Sequence, residues 1–203
     1  MVLKIGVMGG TFDPVHLGHL AVAEEARRQI GLSEVIFVPA GHPYFKALAR
    51  ISPAEHRLQM LKLALANKPQ FKLSRLEIER PGPSYAVDTL ASLKGQIEAS
   101  DELFFILGWD SLLTLPKWQQ PQRLIELCNL VAAPRPGFDR GELKRLEREL
   151  PGITQKTRVM DRPFIEISST GIREKVRRGL PIENMVPPEV AAYIREKGLY
   201  LNK

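Results

Sequence analysis

Apolar residues recur along this chain with two periods, and the periods take turns. Val35-Ile36-Phe37-Val38 within Glu34–Pro39 and Leu103–Leu107 are continuous apolar runs, and Leu127–Ala133 is apolar but for Asn129. Val2–Met8 alternates weakly and ends at glycines. Short runs that are apolar on both faces predict strands buried inside a parallel sheet. Further short strands are predicted at Phe71–Ser74, Leu76–Glu79 and, last in the chain, Phe164–Ile167.

Between these runs the apolar spacing turns helical. Gly18–Ile30 places Ala21, Val22, Ala26 and Ile30 on one stripe, and Gly31 is a stop signal. Pro53–Asn67 is predicted as a helix with proline at its first position, and Ser52 and Glu55 have capping-box spacing. Ser84–Ile97 repeats Ala86, Leu90, Leu93 and Ile97. Gly141–Leu150 sets Leu143, Leu146 and Leu150 against a mixed-charge face, as a surface helix does. Two more helices are predicted from Ser168 to about Arg178 and over Pro187–Lys197. The alternation predicts an α/β class, a Rossmann-like, mainly parallel sheet with helices on both faces, in a single domain over residues 1–203. Ligands of such sheets bind beyond the carboxyl ends of the strands. That rule selects Gly9–His19, Pro39–Lys46, Gly108–Asp110 and Ser168–Arg173.

Composition narrows the class without choosing a function. The 203 residues are 44% hydrophobic and 26% charged, which suits a globular chain and argues against disorder. No apolar run approaches the ~18 residues of a membrane span. The start of the chain is no signal peptide, because Lys4 and Gly9-Gly10-Thr11 break the apolar stretch. The single cysteine, Cys128, lies in an apolar run and is expected to be a small buried hydrophobe. These features lead us to expect a cytoplasmic protein. Lys and Arg number 29 against 23 Asp and Glu, a net charge of +6. The basic residues form no stripe and no nucleic-acid reader motif appears, so neither nucleic acid nor membrane is expected as a partner.

The strongest chemical signal is Gly9-Gly10-Thr11-Phe12-Asp13-Pro14-Val15-His16-Leu17-Gly18-His19, running from the first strand into the first helix. Glycines there let a nucleotide approach the backbone, and a helix N-terminus offers unpaired amides to phosphate. His16 and His19 share one face of a turn, with Gly18 leaving the approach open. Charged imidazoles at this end would oppose the helix dipole unless an anion neutralises them. Two other readings of the same residues are ordinary surface histidines and a metal site built from His16, His19 and Asp13. The string is neither a G-x-G-x-x-G dinucleotide fingerprint nor a Walker A loop. The second signal is Ser168-Ser169-Thr170-Gly171-Ile172-Arg173. Its hydroxyls suit a helix cap, while a cation in the first turn suits a bound polyphosphate better than the dipole.

Together these two motifs resemble the nucleotidyltransferase superfamily with the HxGH signature, and most of all its bacterial nicotinate-nucleotide adenylyltransferases. That family begins GGTFDPxHxGH and carries ISSTxIR near its end. Here Ile167–Arg173 reads Ile-Ser-Ser-Thr-Gly-Ile-Arg. Arg80–Leu90, Leu107–Leu112 and Trp118 extend the resemblance across nearly the whole chain. Two departures stand out. Pro43-Tyr44-Phe45-Lys46 replaces a common Pro-Pro-His-Lys, and Trp109 stands where a small residue is usual. The Trp109 ring either presses on the nucleotide site or packs in the core.

The resemblance implies adenylyl transfer from ATP to nicotinate mononucleotide, giving deamido-NAD and pyrophosphate. A relative acting on nicotinamide mononucleotide or phosphopantetheine is the alternative. It implies a catalytic set of His16, His19 and Arg173. ATP is expected at Gly9, Gly10, Thr11, Phe12, Gly18, Lys46, Gly108, Asp110, Ser169 and Ile172. The mononucleotide is expected at Lys46, Ser84, Tyr85, Thr89 and Trp118, with Tyr85 and Trp118 suited to stacking on a pyridinium ring. No dedicated metal site is expected; Mg²⁺ is expected to arrive bound to ATP. A homo-oligomer is compatible with the sequence. Two rival classes are a basic nucleic-acid-binding protein and a noncatalytic nucleotide sensor.

Overall fold

The computed structural model describes residues 2–201 apart from 43–50, 136, 138, 140, 164 and 165. Six strands form one sheet in the order β3-β2-β1-β4-β5-β6, with every neighbouring pair parallel. They are β1 Lys4–Gly10, β2 Glu34–Pro39, β3 Phe71–Leu73, β4 Glu102–Gly108, β5 Asn129–Ala133 and β6 Thr157–Val159. The helices are α1 Leu17–Ile30, α2 Ala54–Leu65, α3 Leu76–Glu79, α4 Ala86–Lys94, α5 Trp109–Thr114, α6 Pro121–Leu127, α7 Gly141–Glu149, α8 Ile153–Lys156, α9 Ser169–Arg177 and α10 Pro188–Glu196. A 3-10 turn, Leu115–Lys117, follows α5.

The unbroken apolar runs are explained by the two cores they feed. Along β4, Phe104 and Ile106 enter one core, while Leu103, Phe105 and Leu107 enter the other. In β1, Met8 faces the first core, and Ile5 and Val7 face the second. Helices α1, α2, α9 and α10 cover the first face; α4, α5, α6 and α7 cover the second. A strand buried on both sides has no polar position to offer, so alternation disappears from its sequence. Chain order reverses between β1 and β4, so the connections leaving these adjacent strands go to opposite faces. A crevice therefore opens at their carboxyl ends, the usual ligand position of doubly wound sheets.

Four local expectations are corrected. Leu76–Glu79 is a single helical turn, α3, not a strand. Four residues alternating Leu-Glu-Ile-Glu do not separate a period of 2 from 3.6. The turn wins because it buries Glu77, whose Oε1 accepts the Thr89 hydroxyl at 2.6 Å. Ser52 does not cap α2. The helix starts after Pro53 with no side-chain cap, and Ser52 instead donates its N–H to Asp13 Oδ2 at 3.1 Å. Among the described residues the last strand is β6; of the predicted Phe164–Ile167, Glu166 and Ile167 are outside any strand, and the other two positions lie outside the described residues. β6 escaped notice because a short, half-exposed Thr-Arg-Val edge strand carries little apolar signal. Ser84 and Tyr85 precede α4 rather than belonging to it.

Cys128 is buried as expected, and burial pushes its thiol up to about 12. Among the described residues no helix is long and apolar enough to cross a membrane.

Gly6, in the middle of β1, is where the first core comes closest to the sheet. A Cβ there would stand 2.8 Å from Leu32, 3.0 Å from Val35 and 3.1 Å from Ile106. Gly6→Ala is expected to cost about 1–3 kcal/mol by overpacking, read as a lower urea midpoint with an unchanged slope.

Candidate active site

β1 delivers its chain to the crevice through Gly9 and Gly10. Gly10 is needed for a close approach, since a Cβ would lie 3.0 Å from the Phe12 ring. Phe12 itself adopts a left-handed backbone, φ 51°, a costly state for a bulky residue. It is held there because the ring is buried against Phe37 and stands edge-on beneath His19, with centroids 5.0 Å apart.

The chain then enters α1 with His16 as N-cap. His16 Nδ1 accepts the His19 N–H at 3.3 Å, and His19 Nδ1 accepts the His16 N–H at 3.2 Å. Two N–H groups of the helix end are thereby engaged by two imidazoles, in the manner of a capping box, and the His19 N–H also reaches the His16 carbonyl at 3.0 Å. The rings stack with centroids 3.6 Å apart. A neutral imidazole that accepts at Nδ1 carries its proton on Nε2. Burial pulls the His16 pKa down to about 4, so His16 is neutral near pH 7. The expected dipole penalty of a charged His16 therefore does not arise.

α9 reaches the same place from the other side. Ser168 is its N-cap, accepting the Gly171 N–H at 3.1 Å. The Ser169 hydroxyl donates to the Pro14 carbonyl at 2.9 Å. Arg173 donates from Nη1 to the Asp13 carbonyl at 2.7 Å and from Nη2 to the Thr170 hydroxyl at 3.2 Å. The Arg173 cation, just past the first turn of α9, is thus anchored by the histidine loop.

That loop is held from below by a buried arginine. Arg57, on α2, is 2% exposed. Its guanidinium donates to the carbonyls of Thr11 (3.0 Å), Ala40 (2.6 Å) and Ser52 (3.0 Å). Burial lowers its pKa, and the charge of nearby Asp13 opposes that shift. Asp13 is itself buried and accepts the Tyr200 hydroxyl at 2.7 Å. Burial and the Asp13 carboxylate both raise the Tyr200 pKa, so the phenol stays protonated.

Two cavities adjoin in the crevice. One, of about 450 Å³, lies between the β1 and β2 ends and is lined by Gly9, Gly10, Thr11, His19, Ala40, Glu77, Ser84, Tyr85, Lys117 and Trp118, among others. The other, of about 700 Å³, lies across the β1, β4 and β5 ends and includes Gly9, His16, Gly18, His19, Gly108, Trp109, Asp110, Arg135 and Ser168–Thr170. Both are walled by Gly9, His19, Phe105, Ser111 and Trp118. A group bound in one chamber and a group bound in the other therefore meet beside His19.

This fold and this motif geometry have relatives. The cytidylyltransferase-like family model matches residues 7–175. A "Probable nicotinate-nucleotide adenylyltransferase" from Dehalococcoides mccartyi is 48% identical over 99% of this chain and 98% of its own. The chain belongs to the nicotinate-nucleotide adenylyltransferase family. Another relative so named, from Moorella thermoacetica, is 43% identical over 97% of this chain and 91% of its own. The fold is also that of the Plasmodium falciparum nicotinic acid mononucleotide adenylyltransferase, solved in complex with NaAD. The two share a TM-score of 0.80 and 21% identity, over 98% of this chain and 97% of that one.

The crevice gathers most of the residues expected from the sequence. Gly9, Gly10, Thr11, Gly18, His16, His19, Gly108, Asp110, Ser169, Ser84, Tyr85 and Trp118 line one cavity or the other. Others sit behind the walls. Phe12 and Ile172 are buried in the first core, where each supports its loop. Thr89 is buried and turned to Glu77 and is not among the lining residues. Ser84 lines the smaller cavity, but its hydroxyl is occupied, accepting the N–H groups of Gly41 (3.0 Å) and His42 (3.1 Å). Lys46 lies outside the described residues. Trp109 does both things foreseen for it: it is 1% exposed in the second core and lines the larger cavity, its indole N–H donating to Glu142 at 2.8 Å.

Four contributors were not foreseen. Arg135 lines the larger cavity and pairs with Asp110 at 2.8 Å. The strand-end rule, applied also to the end of β5, would have selected it. Glu77 and Lys117 were hidden in short irregular segments. Arg57 carries no local signal, being one basic residue in a mixed helix.

The neutral, buried His16 makes stability depend on pH. Its folded pKa of about 4 lies below the ordinary 6.5, so the unfolded chain binds the proton more tightly. The contribution is fully present above pH 6.5 and is lost as pH falls from 6.5 to about 4, up to about 3 kcal/mol. His16→Asn keeps a capping side chain and removes this titration. In urea unfolding from pH 7 to 4, the variant is expected to lose correspondingly less stability than the wild type.

Proposed function

We propose that the protein transfers the adenylyl group of ATP to nicotinate mononucleotide, releasing pyrophosphate and deamido-NAD. The observation that carries this reading is the pair of cavities meeting at His19. ATP occupies the larger chamber, with its polyphosphate at the α1 and α9 N-termini. The mononucleotide occupies the smaller one, its ring against Trp118 and Tyr85. The relatives' names, and the NaAD and APC complexes of the Plasmodium falciparum enzyme, support the same pair of substrates.

The chemistry needs no general base. An oxygen of the mononucleotide phosphate, already anionic, attacks the α-phosphorus of ATP. One P–O bond forms, and the bond from the α-phosphorus to the bridging oxygen breaks, so that pyrophosphate leaves with the electron pair. The protein's task is alignment and neutralisation of the charge that develops on the leaving group. His16 and His19, each with Nδ1 engaged by backbone, offer Nε2 protons to phosphate oxygens. Arg173 approaches the β- and γ-phosphates from α9, with amides near Gly10 opposite. Asp110 and Gly108 lie at the ATP ribose.

Magnesium enters as part of the substrate, Mg-ATP. The donor set around the loop fits this reading: the Asp13 carboxylate is taken up by Tyr200 and Ser52, and Asp110 by Arg135. A cytoplasmic location fits a chain whose only thiol is buried.

Discrimination between nicotinate and nicotinamide forms depends on a carboxylate against an amide, a difference set by a few polar groups. Pyrophosphate release from Mg-ATP with nicotinate mononucleotide, nicotinamide mononucleotide and phosphopantetheine in parallel tests the reading. Preference for the nicotinate form is expected; preference for either other acceptor would reassign the substrate. His19→Ala and Arg173→Ala are each expected to lower turnover by on the order of 10²-fold. Trp118→Ala is expected to raise KM for the mononucleotide more than for ATP, and equal effects on both would give Trp118 a structural role.

A further inference from the structure

The segment after α10 turns back into the catalytic loop. α10 ends at Glu196 with Lys197 as C-cap, and Gly198 follows at φ 57°. The Leu199 N–H bonds back to the Ile194 carbonyl at 3.0 Å, the reversal that a left-handed glycine permits. Leu199 and Tyr200 then pack against the first core. Tyr200 itself holds a left-handed backbone, φ 67°. A bulky residue in that state is retained only where its surroundings demand it.

The demand is visible at its hydroxyl, which donates to Asp13 Oδ1 at 2.7 Å. The other carboxylate oxygen of Asp13 accepts the Ser52 N–H, and the main-chain carbonyl of Asp13 accepts Arg173 Nη1 at 2.7 Å. Tyr200 is therefore one residue away from the guanidinium, through a buried carboxylate that is fastened on both oxygens. Arg173's side chain is long and rotamer-rich, and pinning it before nucleotide binds lowers the ordering cost at the reacting phosphates.

We propose that Tyr200 is a positioning residue for Arg173: its hydroxyl fixes the Asp13 carboxylate, and Asp13 in turn aims the guanidinium through its carbonyl oxygen. The proposal rests on the reading of Arg173 as a polyphosphate ligand. Tyr200 touches no substrate; it acts through the loop.

The test is a double-mutant cycle in the pyrophosphate-release assay with wild type, Tyr200→Phe, Arg173→Ala and the double variant. Tyr200→Phe keeps the ring and removes only the hydroxyl. It is expected to lower kcat about 10-fold while leaving KM for the mononucleotide within two-fold. The double variant is expected to be no slower than Arg173→Ala alone, because the hydroxyl has nothing left to aim. Losses that multiply, or a melting temperature that falls with kcat unchanged, would overturn the proposal. Asp13→Asn carries the same cycle should Tyr200→Phe fail to fold, because an amide cannot accept from both the phenol and the Ser52 N–H. Side-chain NMR of the ¹⁵N-arginine-labelled protein without nucleotide separates this idea from the substrate assignment. Slow guanidinium rotation of Arg173 in the wild type and fast rotation in Tyr200→Phe supports the positioning role, even in a protein that uses a different acceptor. Equal rotation in both refutes it, whatever the acceptor.

Discussion

At the start of α1 the His16 N–H is taken by the His19 Nδ1, and the His19 N–H is shared between the His16 Nδ1 and the His16 carbonyl. Satisfying these donors has three consequences at once. The helix end is stable without a serine or aspartate cap. A ring that accepts at Nδ1 carries its proton on Nε2, so each ring presents a donor to an anion rather than an acceptor. And the rings stack on one another with Phe12 beneath, so the donors are held in place before any substrate arrives. A helix N-terminus is already attractive to phosphate; here the residues that complete it add N–H donors of their own.

The loop that carries these histidines has little regular structure of its own. Its carbonyls are buried, and they need partners from elsewhere. Arg57 supplies them, bonding Thr11, Ala40 and Ser52 with one guanidinium and so tying the ends of β1 and β2 to the start of α2. A buried cation with carbonyl partners is costly to place but leaves few alternative arrangements. That is a reasonable exchange where geometry matters more than stability. Arg173 and Ser169 add two further ties from α9. The site is thus the meeting point of three chain segments far apart in sequence, each held by hydrogen bonds to the next.

Much of this was legible beforehand, and the legible parts share a physical cause. Strands β2, β4 and β5 announced themselves because both their faces are buried, so their inner positions are almost all apolar, and β1 showed by its weak alternation ending at glycines. Helices α1 and α4 showed their stripe because one face meets the sheet. The Gly9–His19 and Ser168–Arg173 motifs were readable because glycine, histidine, hydroxyl and arginine stand at spacings set by local geometry. Where local geometry says little, the reading failed. Leu76–Glu79 is too short to show a period, β6 is a half-exposed edge, and Ser52 had capping spacing but was drawn instead to Asp13 and Arg57.

The sequence by itself determined the class of fold, the crevice at the strand ends, the histidine pair at the helix start and the family the motifs resemble. Each of these follows from periodicity or from residues within one turn of each other. Only the tertiary structure decided that the two histidines cap one helix reciprocally, that Phe12, Thr89 and Ile172 stand behind the walls rather than on them, and that Arg135 faces Asp110. It alone brought Arg57 and Tyr200 beneath the catalytic loop. Those contacts join positions from 46 to 187 residues apart. Such pairings depend on how the helices pack across the sheet, which no local spacing encodes.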